Sequence, residues 1–402
     1  MRSSAPESWR YGPYDPSQLT FLGVVIKVVE RCNIDCTYCH VFNSDDASWR
    51  AHPKHISLET MGAIARFLER GIEELGLRSV RIVFQGGEPM MMRTRDFDVA
   101  CQVLRGALAK APGSEFVMQT NATLVDDEWL ELLSRHKVAV GVSLDGPAEV
   151  HDQYRVDHRG RGTYHRVVRG LLKLQEAAGV DKGIPPSVLA VINPESDAAH
   201  VYRHLVHELG LDCINFLLPK NCYENRQGLA LGKYGAWLSA AFDAWTQDDN
   251  PEVEVALFVD LLDVFLHRKG SLLWGNVDAR PWESAICIAS NGNVAPDDEF
   301  RVTRFWSEVQ GHNVRTSTLA DFLDSRAFHV LNRAKRTAPN KCAACMWKGM
   351  CGGGVLLNRY SADGDFDNPS ILCNDLQQFY STVAAYLARS GISRGRLARS
   401  LA

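Results

Sequence analysis

The 402-residue sequence predicts an α/β fold with a parallel sheet, followed by a helical segment and a small, loop-rich, cysteine-bearing region. Three observations lead there. Between residues 22 and 235, six short β-rich runs alternate with helical patterns. The stretch joining the first two runs shows one apolar face with a start and a stop signal. Seven of the eleven cysteines fall in two tight sets, one after the first β-rich run and one near the end.

The strand candidates are "GVVIKVV" (23–29), "SVRIVF" (79–84), "EFVMQT" (115–120), "VAVGVSL" (138–144), "SVLAVI" (187–192) and "CINFLL" (213–218). β-branched and aromatic residues bounded by turn residues read as strands. Between the first two, Met61, Ile64, Ala65, Leu68 and Ile72 share one helix face, with Ser57 placed as N-cap and Gly76 as the stop. Strands alternating with helices imply a parallel sheet with right-handed crossovers, whose site lies at the carboxyl ends of the strands. From 233 to about 270 the pattern turns helical ("YGAWLSAAFDAWTQ", "VALFVDLLDVFLHRK"). After "PWESAICIASNGNVAPDD" the chain reads as loop-rich, with helices expected near 318–333 and 374–389. The expected division is a tail (1–20), an α/β core (21–232), a helical bridge (233–280), a cysteine-bearing domain (281–390) and a basic tail (391–402).

Hydrophobic residues at 46% and charged residues at 23% are ordinary globular composition, and a net charge of −4 gives no reason to expect nucleic acid or an anionic membrane as partner. The N-terminus lacks an apolar h-region, and no run approaches the length of a membrane span, so a cytoplasmic protein is expected. In a reducing compartment, closely spaced thiols read as metal sites rather than disulfides.

The first set, "RCNIDCTYCHVF", holds Cys32, Cys36 and Cys39. A structural zinc site wants a fourth ligand, and His40, adjacent to Cys39, converges poorly on the same ion. A zinc knuckle is the plain alternative. The spacing CxxxCxxC, with Tyr38 before its last cysteine, resembles the radical S-adenosylmethionine (SAM) superfamily. That resemblance implies a partial (β/α)6 barrel, a three-cysteine [4Fe–4S] cluster whose open iron chelates SAM, and a 5′-deoxyadenosyl radical. Further motifs sit at successive strand ends. "FQGGEP" supplies Gly86, Gly87, Glu88 and Pro89 and matches the family motif for the SAM amine; alone it would be a turn. "QTNATL" offers Gln119 and Asn121 near the nucleoside. "SLDGPAEVHDQYR" brings Ser143, Asp145 and Arg155, with Arg155 implied on the SAM carboxylate; the alternative is a surface ion pair. Leu217 and Leu218 are placed against adenine, or simply in the core.

The second set comprises Cys342, Cys345, Cys351 and Cys373. Four thiolates form a closed site for zinc or iron–sulfur, and spacing alone does not choose. Behind the first motif, this segment resembles the C-terminal extension called SPASM, which implies one auxiliary [4Fe–4S] cluster. Two-cluster members carry further cysteines where this chain has Asp297 and Val355, so a second auxiliary cluster is not expected and Cys287 is read as a buried spare. Asp298 matches the place of a carboxylate base in sulfatase-maturing relatives; the plain alternative is a solvated loop acid.

The ending "CGGGVLLNRYSADGDFDNPSILCNDL" resembles maturases that cross-link side chains in ribosomally made peptides. The resemblance therefore implies an oxidoreductase that abstracts a Cβ hydrogen from a precursor peptide and forms a cyclophane- or ether-type link. Its electrons would come from a reductant such as flavodoxin or ferredoxin. Alternatives are a formylglycine-forming sulfatase maturase, a radical SAM enzyme on a small molecule, or a degenerate, non-catalytic peptide-binding protein.

Overall fold

The computed structural model describes residues 19–181, 183–266, 283–393 and 395–397. The expected N-terminal tail up to residue 18, the close of the bridge (267–280) and residues 398–402 lie outside the described residues.

All six β-rich runs are strands, within a residue or two of their expected ends. The strands are β1 (Phe21–Val29), β2 (Asp35–Cys36), β3 (Ser79–Gly86), β4 (Glu115–Thr120), β5 (Val138–Ser143), β6 (Arg155–Val156), β7 (Ser187–Val191), β8 (Cys213–Leu217), β9 (Glu254–Val255), β10 (Glu283–Ile288), β11 (Asn293–Ala295) and β12 (His312–Asn313). Ten of them form one sheet in the order β12-β11-β10-β1-β3-β4-β5-β7-β8-β9, while β2 and β6 pair separately. Pairings from β10 through β1 to β9 are parallel, and β11 and β12 add on antiparallel.

The core strands alternate over most of their length. Leu22, Val24, Ile26 and Val28 of β1 are fully buried, as are Val80, Ile82 and Phe84 of β3. Their neighbours Val25 and Val83 are only half-buried. One face thus packs under the crossover helices, and the other lines a lumen, which is the two-sided demand of a curved parallel sheet.

The helix Leu58–Leu75 begins at Ser57, whose Oγ accepts from the Thr60 N–H at 3.0 Å. It ends at Gly76, with φ +67° and its N–H on the Ile72 carbonyl. A side chain in that left-handed geometry would be strained, so glycine closes the helix.

Two expectations need correction. The strand candidates stop too soon: "ESAICI", given no element in the sequence reading, is β10, pairing in parallel with β1 from Phe21↔Glu283 to Ile26↔Ile288. Its alternation was too short to betray a partner more than 250 residues away. The helix expected at 318–333 is two, Leu319–Leu323 and Arg326–Arg336. Thr318 and Asp321 form a capping box on the first, and the Ser325 hydroxyl caps the second at the Phe328 N–H, so a fresh N-cap interrupts the run.

The bridge helices Tyr234–Asp248 and Ala256–Phe265 pack on the helix Cys373–Arg389 through Phe242, Phe258 and Phe379, with ring centroids 5.4 to 6.0 Å apart. Asp375 fastens the same junction, accepting from the N–H groups of Gly232 (3.0 Å) and Gly235 (2.8 Å). Among the described residues, no helix is long and apolar enough to cross a membrane.

Candidate active site

The first cysteine set hangs over the lumen end of β1. The small β2–β6 pair holds it there by setting Cys36 opposite Arg155, with the Thr37 N–H on the Tyr154 carbonyl at 2.9 Å. Cys32, Cys36 and Cys39 are half-buried. Arg155 Nη1 lies 3.8 Å from the Cys36 sulfur and Asn121 Nδ2 lies 3.9 Å from that of Cys32. Burial pushes the Cys32 thiol up to about 12 and the Cys36 thiol up to about 11. Thiolates bound to a cationic centre are deprotonated against such a cost.

Gly86 and Gly87 are set by backbone crowding. A Cβ on Gly86, at φ +152°, would stand 2.0 Å from the Val29 carbonyl oxygen, and one on Gly87 would stand 2.1 Å from that of Arg31. The Gly87 N–H donates to Val29 at 2.7 Å and the Glu88 N–H to Arg31 at 3.0 Å, so this loop is laced to the start of the cysteine loop. Pro89 opens a buried 3-10 turn. The Glu88 carboxylate turns inward. It accepts from the Met90 N–H, the Thr120 hydroxyl and the Asn121 N–H at 2.7 to 3.0 Å. Burial pushes Glu88 up to about 7 despite those three donors. Asn121 in turn donates to Asn33 Oδ1 at 2.9 Å. Glu88 thereby braces the cysteine loop through Asn121.

Asp145 gathers most of the remaining polar residues. Its Oδ2 accepts from Tyr38 (2.5 Å) and from Arg155 Nε (3.1 Å), and its Oδ1 accepts from the Val191 N–H (3.0 Å). Arg155 is a buried ion pair rather than a surface one, with its outer nitrogen left toward Cys36. Gln119 Nε2 donates to Ser143 Oγ at 2.8 Å from the neighbouring strand. Leu217 ends β8 and Leu218 follows it, both half-buried, and the Leu217 carbonyl accepts from the Ile192 N–H.

Asp298 is buried, and its carboxylate meets the ammonium of Lys27 and lies 3.4 Å from His40 Nε2. Burial alone would raise this carboxyl, but Lys27, then His40 and Lys220, hold it well below the usual carboxylate range. It is not a solvated loop acid. Asp297 caps the following turn at the Glu299 N–H, 3.2 Å away. Cys287 is 2% exposed in β10, and burial pushes it up to about 12. The sequence reading missed Lys27 and Gln85. A lysine inside "GVVIKVV" was the available signal, since such a charge is buried only with a partner.

The second set is assembled around one cavity. Cys342, Cys345, Cys351 and Cys373 line it together with Trp347 and Tyr380. Gly352, Gly353 and Gly354 all take positive φ (57°, 99° and 84°), and a Cβ on Gly353 would lie 2.5 Å from Pro339 Cδ. Arg359, 1% exposed, reaches the carbonyls of Ala334, Thr337, Gly352 and Phe366 at 2.8 to 3.3 Å, tying these loops together. Gln377 donates to the Cys373 sulfur at 3.2 Å, and Tyr380 hydrogen-bonds the Cys351 thiol. Among the described residues, no three Cys, His, Asp or Glu side chains converge as one metal ion requires. Four thiols lining one cavity fit the closed four-thiolate site of an iron–sulfur cluster.

Residues 26–198 match the family model described as the radical SAM superfamily. The chain is 26% identical over 390 residues to a serine-type anaerobic sulfatase-maturating enzyme of Bacteroides thetaiotaomicron, covering 91% of this chain and 90% of that one. It is also 26% identical over 371 residues to a cysteine-type anaerobic sulfatase-maturating enzyme of Clostridium perfringens, covering 89% and 95%. Among solved structures, anSMEcpe with bound AdoMet shares the fold at a TM-score of 0.78, with 24% identity and coverage of 92% and 98%. A structure of anSMEcpe with bound AdoMet and Kp18Cys peptide gives 0.76, at 23% identity and coverage of 92% and 99%. With the three-thiol loop and the laced glycine motif in one place within the match, residues 26–198 are a radical SAM domain, and the chain that carries it is an enzyme.

Proposed function

We propose that this enzyme oxidises a side-chain carbon of a peptide, with Asp298 accepting the proton released. The carrying observation is the position of Asp298, buried over the lumen end of β1 and 3.4 Å from His40, the residue after Cys39. When bound, a [4Fe–4S] cluster on Cys32, Cys36 and Cys39 with SAM supplies the hydrogen-abstracting 5′-deoxyadenosyl radical, and an auxiliary [4Fe–4S] cluster on Cys342, Cys345, Cys351 and Cys373 supplies an electron acceptor.

The chain's own residues do the rest. Asn121 and Arg155 place donors on the sulfurs of Cys32 and Cys36, Glu88 and Asp145 hold those donors, and the lumen excludes water from a reactive carbon centre. Gly86 and Gly87, Gln119, Ser143, Leu217 and Leu218 are the proposed SAM wall. Losing a hydrogen atom, a proton and an electron from one residue completes a two-electron oxidation, and an ionised Asp298 is in the state needed to take the proton.

Two relatives of matching length are sulfatase-maturating enzymes, which favours formylglycine-type oxidation of a cysteine or serine. One observation keeps side-chain cross-linking as a second reading: Asp297 and Val355 stand where the resemblance expects two more thiols, leaving Cys287 buried alone. The partner is then a ribosomally made precursor peptide, with flavodoxin or ferredoxin as reductant.

Mass and aldehyde chemistry separate the two. The reconstituted enzyme is given SAM, a reductant and a peptide carrying one serine or cysteine beside aromatic residues. Formylglycine formation yields a product that a hydrazine reagent captures. A cross-linked product is two hydrogens lighter, does not react with hydrazine and resists fragmentation between the joined residues. A peptide unchanged in mass and configuration, despite SAM cleavage, would contradict both readings.

A further inference from the structure

Lys27 stands in an otherwise apolar strand and is 1% exposed. Burying an ammonium is costly unless charge and hydrogen bonds compensate it. Here the compensation comes from two directions. Gln85, its cross-strand partner on β3, accepts from Nζ at 2.6 Å, and the Asp298 carboxylate meets the same nitrogen. Asp298 arrives only because β10 pairs with β1 as far as Ile26↔Ile288, one residue short of Lys27, and the turn after β11 then returns the chain over that strand end.

We propose that Lys27 is the positioning residue for Asp298: docking of β10 on β1 seats the carboxylate against the ammonium, which fixes its direction and its negative charge at the lumen end. This rests on the reading of Asp298 as proton acceptor. The other charged or titratable groups facing Asp298 are His40 from the cysteine loop, Lys220 beyond β8, Cys287 from β10, and Glu299 and Arg301 from its own turn. Of these, His40 stands off at 3.4 Å, whereas Lys27 is in direct contact and is itself held by Gln85. Glu88 shows what a buried carboxyl does without a cation in contact: burial leaves it up at about 7.

The sign of the pH effect follows. With Lys27 present, the carboxyl stays ionised through the neutral range. Without it, only His40 and Lys220 oppose the burial that favours the protonated acid, so the carboxyl shifts upward and a larger share of the base is freed as pH rises.

The test compares Lys27→Met, Lys27→Arg and Asp298→Asn in reconstituted holoenzyme, reading oxidised peptide formed per 5′-deoxyadenosine released on a synthetic cysteine or serine peptide. In Lys27→Met, 5′-deoxyadenosine release stays near wild type, while oxidised peptide per cleavage falls about tenfold or more near neutral pH and recovers with rising pH. Lys27→Arg keeps the ratio within a few-fold and a flat profile. A Lys27→Met ratio that is unchanged, or reduced equally at every pH, overturns the proposal. If Lys27→Met does not fold, the double variant Lys27→Met/Asp298→Asn removes both charges. It must fold, retain its clusters and be as uncoupled as Asp298→Asn; persistent misfolding assigns the lysine a structural task and overturns the proposal. An undiminished ratio in Asp298→Asn instead removes the underlying reading of the base, whatever Lys27 does.

Discussion

Arg155 Nε lies 3.1 Å from Asp145 Oδ2, the oxygen that Tyr38 also reaches, while Arg155 Nη1 points at the Cys36 sulfur 3.8 Å away. The arginine therefore joins the end of β5 to a thiol of the cysteine loop. Replacing it with methionine strands a buried carboxylate, and the expected cost is about 3–5 kcal/mol of folding stability. Arg155→Lys keeps the charge but loses the fork and should fall between. Denaturant unfolding of the three proteins checks the ranking, and equal stability of Arg155→Met and wild type would refute it.

His151 gives the same region a pH dependence. Its Nδ1 accepts from the Asp145 N–H at 3.4 Å and its Nε2 pairs with Thr163 Oγ1 at 3.0 Å. Burial, then Arg155, brings it down to about 2, so it stays neutral in the folded protein. The unfolded chain takes up that proton below about pH 6.5, so stability is full above that value and declines as pH falls through it. The expected loss is about 2 kcal/mol by pH 5. His151→Gln should flatten this slope; a difference between variant and wild type that does not change with pH would contradict the assignment.

The two cysteine sets should separate in iron content. Cys36→Ala is expected to lose one cluster and all 5′-deoxyadenosine release. Cys373→Ala is expected to lose the other cluster while retaining SAM cleavage and forfeiting oxidised peptide. Iron and sulfide analysis beside product quantitation reads both. Loss of SAM cleavage in Cys373→Ala, with the first cluster intact, would go against the division of labour.

Arg359 carries the architecture of the second set. Four backbone carbonyls converge on it, and Arg359→Met takes a donor from each at about 1–3 kcal/mol when buried, with Ala334 keeping a second one, the Thr337 N–H. The expected outcome is loss of the second cluster with the first retained. Unaltered cluster content in the variant would show that the loops hold without it.

Local chemistry was legible in the sequence where neighbours in the chain make the structure. The six strand runs, the Ser57 cap and the Gly76 stop all rest on short-range pattern. The thiol spacings stood out for the same reason. What was hidden depends on distant partners. β10 is too short to stand out as a strand until β1 offers it an edge. Glu88 reads as a ligand residue, yet its carboxylate is taken by Thr120 and Asn121 on the next strand. Lys27 looks like an oddity until Asp298, 271 residues on, meets it.

The most direct measurement is the stoichiometry of a single reaction: reconstituted enzyme, SAM, reductant and a cysteine or serine peptide, analysed together for 5′-deoxyadenosine and peptide product. The account predicts one 5′-deoxyadenosine for each oxidised peptide, both absent in Cys36→Ala and only the peptide product lost in Asp298→Asn. Wild-type enzyme with both clusters in place that releases no 5′-deoxyadenosine would contradict it.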